Sequence, residues 1–272
     1  GYAFRPVPDG PIAPPLLMQK HVAICLRDKQ CFGNWSGMGA GKTLSAVLAT
    51  RVVGAELTVI CCPNAVVDNW KKEVRNAFPT AQVRTKTWEP DWSGDDAPRY
   101  LVLNYEMFQQ PDSEARLVGF LSEHTPQAMV IDEIHFAKQR HTNDMSRRKR
   151  LVQGLRLESQ KLNEKLERPF YVLGMSGTPV INELQEGKSL VELITGHRHD
   201  DLRTKATVQN CMRLYQKLVT HGTRWQPNYS MKLEEEKVWT DCTEQLDEIR
   251  RLSASQASPL EIERELTKAR IP

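Results

Sequence analysis

The run Ser36-Gly37-Met38-Gly39-Ala40-Gly41-Lys42-Thr43 carries the residue types needed to grip a chain of phosphates. Glycines let backbone N–H groups turn toward an anion with no Cβ in the way, and a helix starting at the end of the run adds its positive dipole. Lys42 would reach the β- and γ-phosphates, and the Thr43 hydroxyl would ligate Mg²⁺. A strict G-x-x-x-x-G-K-[ST] loop has glycine where Ser36 stands, so the match is to the relaxed form ending G-x-G-K-T. At ordinary glycine content such a string arises by chance in about one chain of this length in a hundred. A glycine turn that merely caps a helix is the competing reading. The apolar run before it and the helical spacing of Leu44, Val47 and Leu48 after it favour the phosphate loop.

A second group with chemical potential is Val130-Ile131-Asp132-Glu133-Ile134-His135. Alone, an apolar pair followed by Asp-Glu marks only a strand reaching solvent. Downstream of a phosphate loop it acquires roles: Asp132 would hold Mg²⁺ and Glu133 would orient and deprotonate the water that attacks the terminal phosphate. The catalytic candidates are therefore Lys42, Asp132 and Glu133, and the ligands implied are a nucleoside triphosphate, which the family resemblance given below makes ATP, and Mg²⁺.

These residues need a frame that brings two distant loops together. Short, nearly continuous apolar runs at 31–35, 57–62, 100–103, 129–131 and 170–175 predict strands buried on both faces. Amphipathic stretches at 43–53, 65–77, 113–123 and 151–166 predict helices between them. Strand and helix alternate, so the expected fold class is α/β, a doubly wound parallel sheet with ligands beyond the carboxyl ends of its strands. After Gly196 the pattern changes to a helix near 207–219, a turn at 225–229, a strand at 238–240 and charged helices. We expect a lead-in at 1–15, a nucleotide-binding lobe at 16–196 and a helical/hairpin extension at 197–272.

With 272 residues, 40% of them hydrophobic, the chain can bury one large core. A net charge of +3 does not by itself announce nucleic acid. Six cysteines without a C-x-x-C pair argue against a disulfide framework or a structural zinc, which points to an intracellular setting. No apolar run approaches the roughly 18 residues of a membrane span.

From these motifs onward the sequence resembles superfamily 2 helicases, and within them the Swi/Snf-type DNA translocases. Leu16-Leu17-Met18-Gln19 is similar to the family's adenine-reading element, which would make Gln19 the base-recognition residue. Residues 58–73 (T-V-I-C-C-P-N-A-V-V-D-N-W-K-K-E) match its second motif through Pro63, Asn69, Trp70 and Glu73. Asn104-Tyr105-Glu106 resembles a short T-Y-E element with Asn for Thr. Ser176-Gly177-Thr178-Pro179, continuing to Asn182, Leu184 and Glu186, is similar to T-G-T-P-x-x-N-x-L-x-E, a segment that couples nucleotide state to lobe movement. Read on its own it is a Gly-Pro turn after a buried strand, before a helix capped by Asn182. The D-E-x-H context likewise gives His135 a coupling role.

The resemblance covers roughly 16–195 and implies a RecA-like first lobe of a nucleic-acid-dependent motor ATPase. It implies double-stranded DNA as the track, with contacts at Pro63, Asn64, Asn104 and Tyr105, and a second RecA-like lobe supplying an arginine finger. Residues 138–168 hold ten Lys/Arg against four Asp/Glu, a run that suits phosphates or a solvated helix face equally. Two alternatives stay open: the motor subunit of a restriction or phage-defence complex, and an ATP-gated scaffold that does not hydrolyse.

Overall fold

The computed structural model describes residues 1–7, 9–94, 97–134, 147–180 and 183–226, together with 243, 244, 247, 250 and 251. The chain divides into two compact units, Gly1–Pro227 and Asn228–Pro272. The expected strand at 238–240 lies outside the described residues.

The first unit is a seven-stranded, wholly parallel sheet in the order β3-β4-β2-β5-β6-β1-β7. Its strands are β1 (Cys31–Asn34), β2 (Leu57–Cys62), β3 (Gln82–Thr85), β4 (Arg99–Asn104), β5 (Ala128–Ile131), β6 (Tyr171–Met175) and β7 (Gly222–Thr223). The helices are α1 (Leu17–Lys29), α2 (Lys42–Val52), α3 (Val67–Ala77), α4 (Ser113–Glu123), α5 (Arg147–Lys165), α6 (Leu184–Thr195) and α7 (Val208–Thr220). Among the described residues no helix is long and apolar enough to cross a membrane.

The period of two in a strand explains why β2 is buried throughout and almost wholly apolar. Ile60 and Cys62 enter the core built with α1, α2 and α3, whereas Val59 and Cys61 enter the one beneath α4, α5 and α6. Each helix spends one stripe on this sheet. In α3, Val67, Trp70, Val74 and Ala77 are buried, at helical spacing, and the positions between them are mostly exposed. Full burial of side chains of this size contributes roughly 1.5–3 kcal/mol each.

The structure adds elements that the sequence reading left out. The expected elements do not include α1, whose Met18, Val22, Ala23 and Leu26 bury one face. Strand β3 was also missed; it is short, and only Val83 of its four residues is buried. The stretch expected to be an extension after 196 contributes α7 and β7, and β7 pairs with β1 in the main sheet. The lead-in folds back on the unit as well: Ala3 N–H donates to Ala77 O (2.8 Å) and the Tyr2 hydroxyl to Ala13 O (2.8 Å).

At the corner of α6, α7 and β7, the rings of His199 and His221 lie 6.0 Å apart. Burial holds both below the ordinary histidine range. Lys217 adds to this at His199, where His197 works the same way and Asp201 and Glu192 oppose it; His199, Lys217 and Lys29 add to it at His221. The native state therefore binds fewer protons than the unfolded chain as pH falls below about 6.5, and stability present at neutral pH is lost through that window. Hydrogen exchange at 218–223, corrected for intrinsic rates, should accelerate between pH 7 and 5.5. Protection that stays constant down to pH 5 contradicts this.

Candidate nucleotide site

The loop after β1 folds as its glycines allow. Gly39 and Gly41 take φ of 69° and 77°, in the left-handed region that L side chains avoid, and Gly41 is the N-cap of α2. A Cβ on Gly41 would also come within 2.8 Å of the Gln19 amide nitrogen. Lys42 Nζ donates to Ser36 O (3.0 Å) and Gly37 O (2.9 Å), which leaves the third N–H of the ammonium for an anion. Met38 is 84% exposed at the loop's rim, Ala40 is buried, and Thr43 is half-buried in the first turn of α2.

Gln19 is buried, not a surface glutamine. Its Oε1 accepts from Leu16 N–H (2.8 Å) and its amide donates to Gly41 O (3.4 Å), so α1 is tied to the phosphate loop. Beneath the loop, the Asn34 side chain accepts from Ser36 N–H (3.2 Å) and donates to Ser45 Oγ (3.4 Å).

Asp132 follows β5 and is held from both faces of the sheet. Its Oδ2 accepts from Trp70 Nε1–H of α3 (2.9 Å), its Oδ1 from Glu133 N–H (2.9 Å), and its carbonyl from the Tyr105 hydroxyl (2.7 Å). Burial pushes its carboxyl up to about 6, and the charge of Glu133 adds to the rise. The Trp70 and Glu133 N–H groups and the Lys42 ammonium pull the other way. A buried carboxylate so oriented gains from a cation at its open side, which suits Mg²⁺ as an all-oxygen binder. Glu133 takes φ 46°, a conformation that costs an L residue about 1 kcal/mol and recurs at functional turns.

The Ser176–Thr178 turn closes the site. Ser176 N–H donates to Asn34 O (3.2 Å), and its buried hydroxyl accepts from Thr178 N–H (3.1 Å). A Cβ on Gly177 would stand 3.8 Å from Lys42 Nζ and from Met38 Cγ. The three motifs, the first and last more than 130 residues apart in sequence, thus meet at one rim of the sheet.

Other expected residues are placed differently. His135 and Asn182 lie outside the described residues, and the N-cap position of α6 is Glu183, whose side chain makes no capping hydrogen bond. Pro63 is half-buried and Asn64 exposed at the end of β2. Asn104 and Tyr105, expected among the nucleic-acid contacts, turn their side chains inward. Asn104 is 7% exposed and donates to Glu106 Oε2 (2.7 Å), and Tyr105 is 1% exposed and braces Asp132. Sequence reasoning gave Trp70 no contact with the acidic pair, because nothing local links residues 62 positions apart. Arg147 and Arg148 donate to Pro111 O and Gln109 Oε1 along the 105–109 turn, and Arg148 lies 5.6 Å over the Tyr105 ring.

This sheet and rim define an α/β lobe of the RecA-like, P-loop type. The profile of the family described as ResIII, Type III restriction enzyme, res subunit, matches residues 21–181, and the chain belongs to that family. It is 27% identical over 188 residues to a chromodomain-helicase-DNA-binding protein 1-like of Danio rerio (64% of this chain, 16% of the relative). It is 24% identical over 172 residues to the DNA repair and recombination protein RAD54B of Gallus gallus (58% and 16%). The chain thus spans 16% of the length of either relative. In structure it is similar to the Sulfolobus solfataricus SWI2/SNF2 ATPase core in complex with dsDNA, with a TM-score of 0.58, 16% identity, and coverage of 79% of this chain and 45% of that one. It is also similar to the SWI2/SNF2 ATPase core domain of the same organism, with a TM-score of 0.53, 18% identity, and coverage of 78% and 44%.

Proposed function

We propose that this chain is the ATP-binding lobe of a nucleic-acid-dependent motor ATPase. The observation that supports it most is the meeting of Lys42, Asp132 and the Ser176–Thr178 turn at the carboxyl rim of one sheet. Lys42 and the N–H groups at the start of α2 hold the phosphates, and Gln19 reads the base. Glu133 holds and deprotonates the attacking water. Mg²⁺, held by Thr43 and Asp132, neutralises charge on the phosphates when bound. The Ser176–Thr178 turn and His135 carry the state of the site toward a nucleic-acid groove, and residues 16–196 form the part of the lobe that does so.

Double-stranded DNA as the track is supported by the SWI2/SNF2 core solved with dsDNA and by the DNA-binding and DNA-repair relatives. Pro63 and Asn64 are the contacts proposed on this chain. A second lobe supplies the arginine finger, a group worth roughly 10³-fold or more in related phosphoryl transfers. The family's description, a restriction-enzyme subunit, favours a second reading in which the same lobe drives a restriction or phage-defence complex.

Turnover of Mg-ATP by residues 1–272 with and without duplex DNA tests this. The chain should bind Mg-ATP, turn it over slowly, and bind duplex DNA with an affinity that falls as salt rises. Rapid DNA-stimulated turnover by this chain alone contradicts the need for a second lobe.

A further inference from the structure

Ser36 stands where a strict phosphate loop has glycine, and its hydroxyl has a specific partner. The residue is fully buried, and its Oγ accepts the N–H of Trp225 (3.1 Å). The contact continues a ladder. Gly33 N–H donates to His221 O (2.7 Å), Trp35 N–H to Thr223 O (2.7 Å) and Gly37 N–H to Trp225 O (2.9 Å). Residues 221–225 therefore track β1 past its end and into the loop itself.

Shape fixes this path. A Cβ on Gly222 would stand 2.2 Å from Trp35 Nε1, so the segment lies flush on the indole, whose N–H donates to Leu218 O (3.1 Å). Beyond it, the Gln226 side chain comes to 3.5 Å from where a Gly37 Cβ would be. On the opposite side, Ser36 O and Gly37 O both accept from Lys42 Nζ. The first turn of the loop is thus held between Trp225 and the lysine proposed to carry the phosphates.

We infer that residues 221–226 are a strap that sets the first turn of the phosphate loop, with Ser36 as its positioning residue, so that nucleotide affinity and the placement of the strap are linked. The inference rests on the nucleotide site proposed above. With the strap in place the loop's order is established before the ligand arrives. Binding is then tighter than to a loop that must be ordered on binding. By reciprocity, bound nucleotide holds the strap by the same factor. Ser36 thus serves the strap at the position where a strict loop has glycine.

The test is hydrogen exchange of peptides covering 221–226 in the 272-residue chain, with and without saturating Mg-ADP, alongside calorimetric titration. In the wild type, Mg-ADP should slow exchange there about 3- to 10-fold, the size expected for one buried hydrogen bond. Ser36→Ala should speed exchange there without ligand and weaken Mg-ADP binding by a similar factor. Trp225→Pro, which removes the donating N–H, should reproduce both effects while α4 keeps its protection. A strap whose exchange ignores Mg-ADP, or variants that bind Mg-ADP like the wild type, would overturn the inference. A wild-type chain that does not bind Mg-ADP defeats the nucleotide site itself and the linkage with it, and the wild-type titration identifies that failure separately.

Discussion

Lys42→Ala lowers the affinity for Mg-ATP by about 100-fold or more. The ammonium already donates to Ser36 O and Gly37 O, so it is fixed at the loop mouth before any anion arrives. A charge-assisted contact to phosphate contributes about 1.5–3 kcal/mol, and the upper end of that range is already about 100-fold. The substitution also frees two loop carbonyls from their common donor. The fold should be spared, because the buried face of α2 begins at Leu44. Calorimetry supplies the affinities and thermal unfolding the control. A variant that binds Mg-ATP as tightly as the wild type places the phosphates elsewhere.

Glu133→Gln has the second large effect, on turnover with little change in binding. A positioned general base contributes about 10²- to 10⁴-fold, and glutamine keeps the shape of glutamate without its basicity. Nucleotide should then be bound and held, with turnover lost by a factor in that range, measured in the assembled motor with its second lobe and DNA. The same comparison separates a motor from an ATP-gated scaffold. In a scaffold the wild type has no turnover to lose, and the two proteins release phosphate equally slowly.

How far the sequence revealed this arrangement depended on whether each signal was local. Strand β2 was legible to the residue because a short run of β-formers, five of its six side chains apolar, suits a strand covered on both faces. Helix α4 was legible from its spacing, with Ser113, Leu117 and Phe120 on one buried face and polar residues at both ends. Helix α1 is less plain, because its buried stripe of Met18, Val22, Ala23 and Leu26 is interrupted by the buried polar Gln19 and its N-cap, Leu16, makes no side-chain capping bond. The phosphate loop and the acidic pair were legible as chemistry, since the residue types are dictated by phosphate and metal.

The bracing of the site was not legible. Trp70 and Tyr105 come from different motifs on opposite faces of the sheet, and only the fold brings both to Asp132. The motif that holds Tyr105 carries no indication of depth; in place the residue is 1% exposed. Strand β7 left almost no sequence signal. It has two residues, and its placement depends on the lack of a side chain at Gly222 beside Trp35.

The most direct test of the whole account is a calorimetric titration of the wild-type chain with a non-hydrolysable Mg-ATP analogue at neutral pH. One saturable site per chain, abolished by chelating the Mg²⁺ or by Asp132→Asn, is the result this structure predicts. No saturable binding, or binding that Asp132→Asn leaves intact, would contradict a nucleotide and metal held between the glycine loop after β1 and the carboxylates after β5.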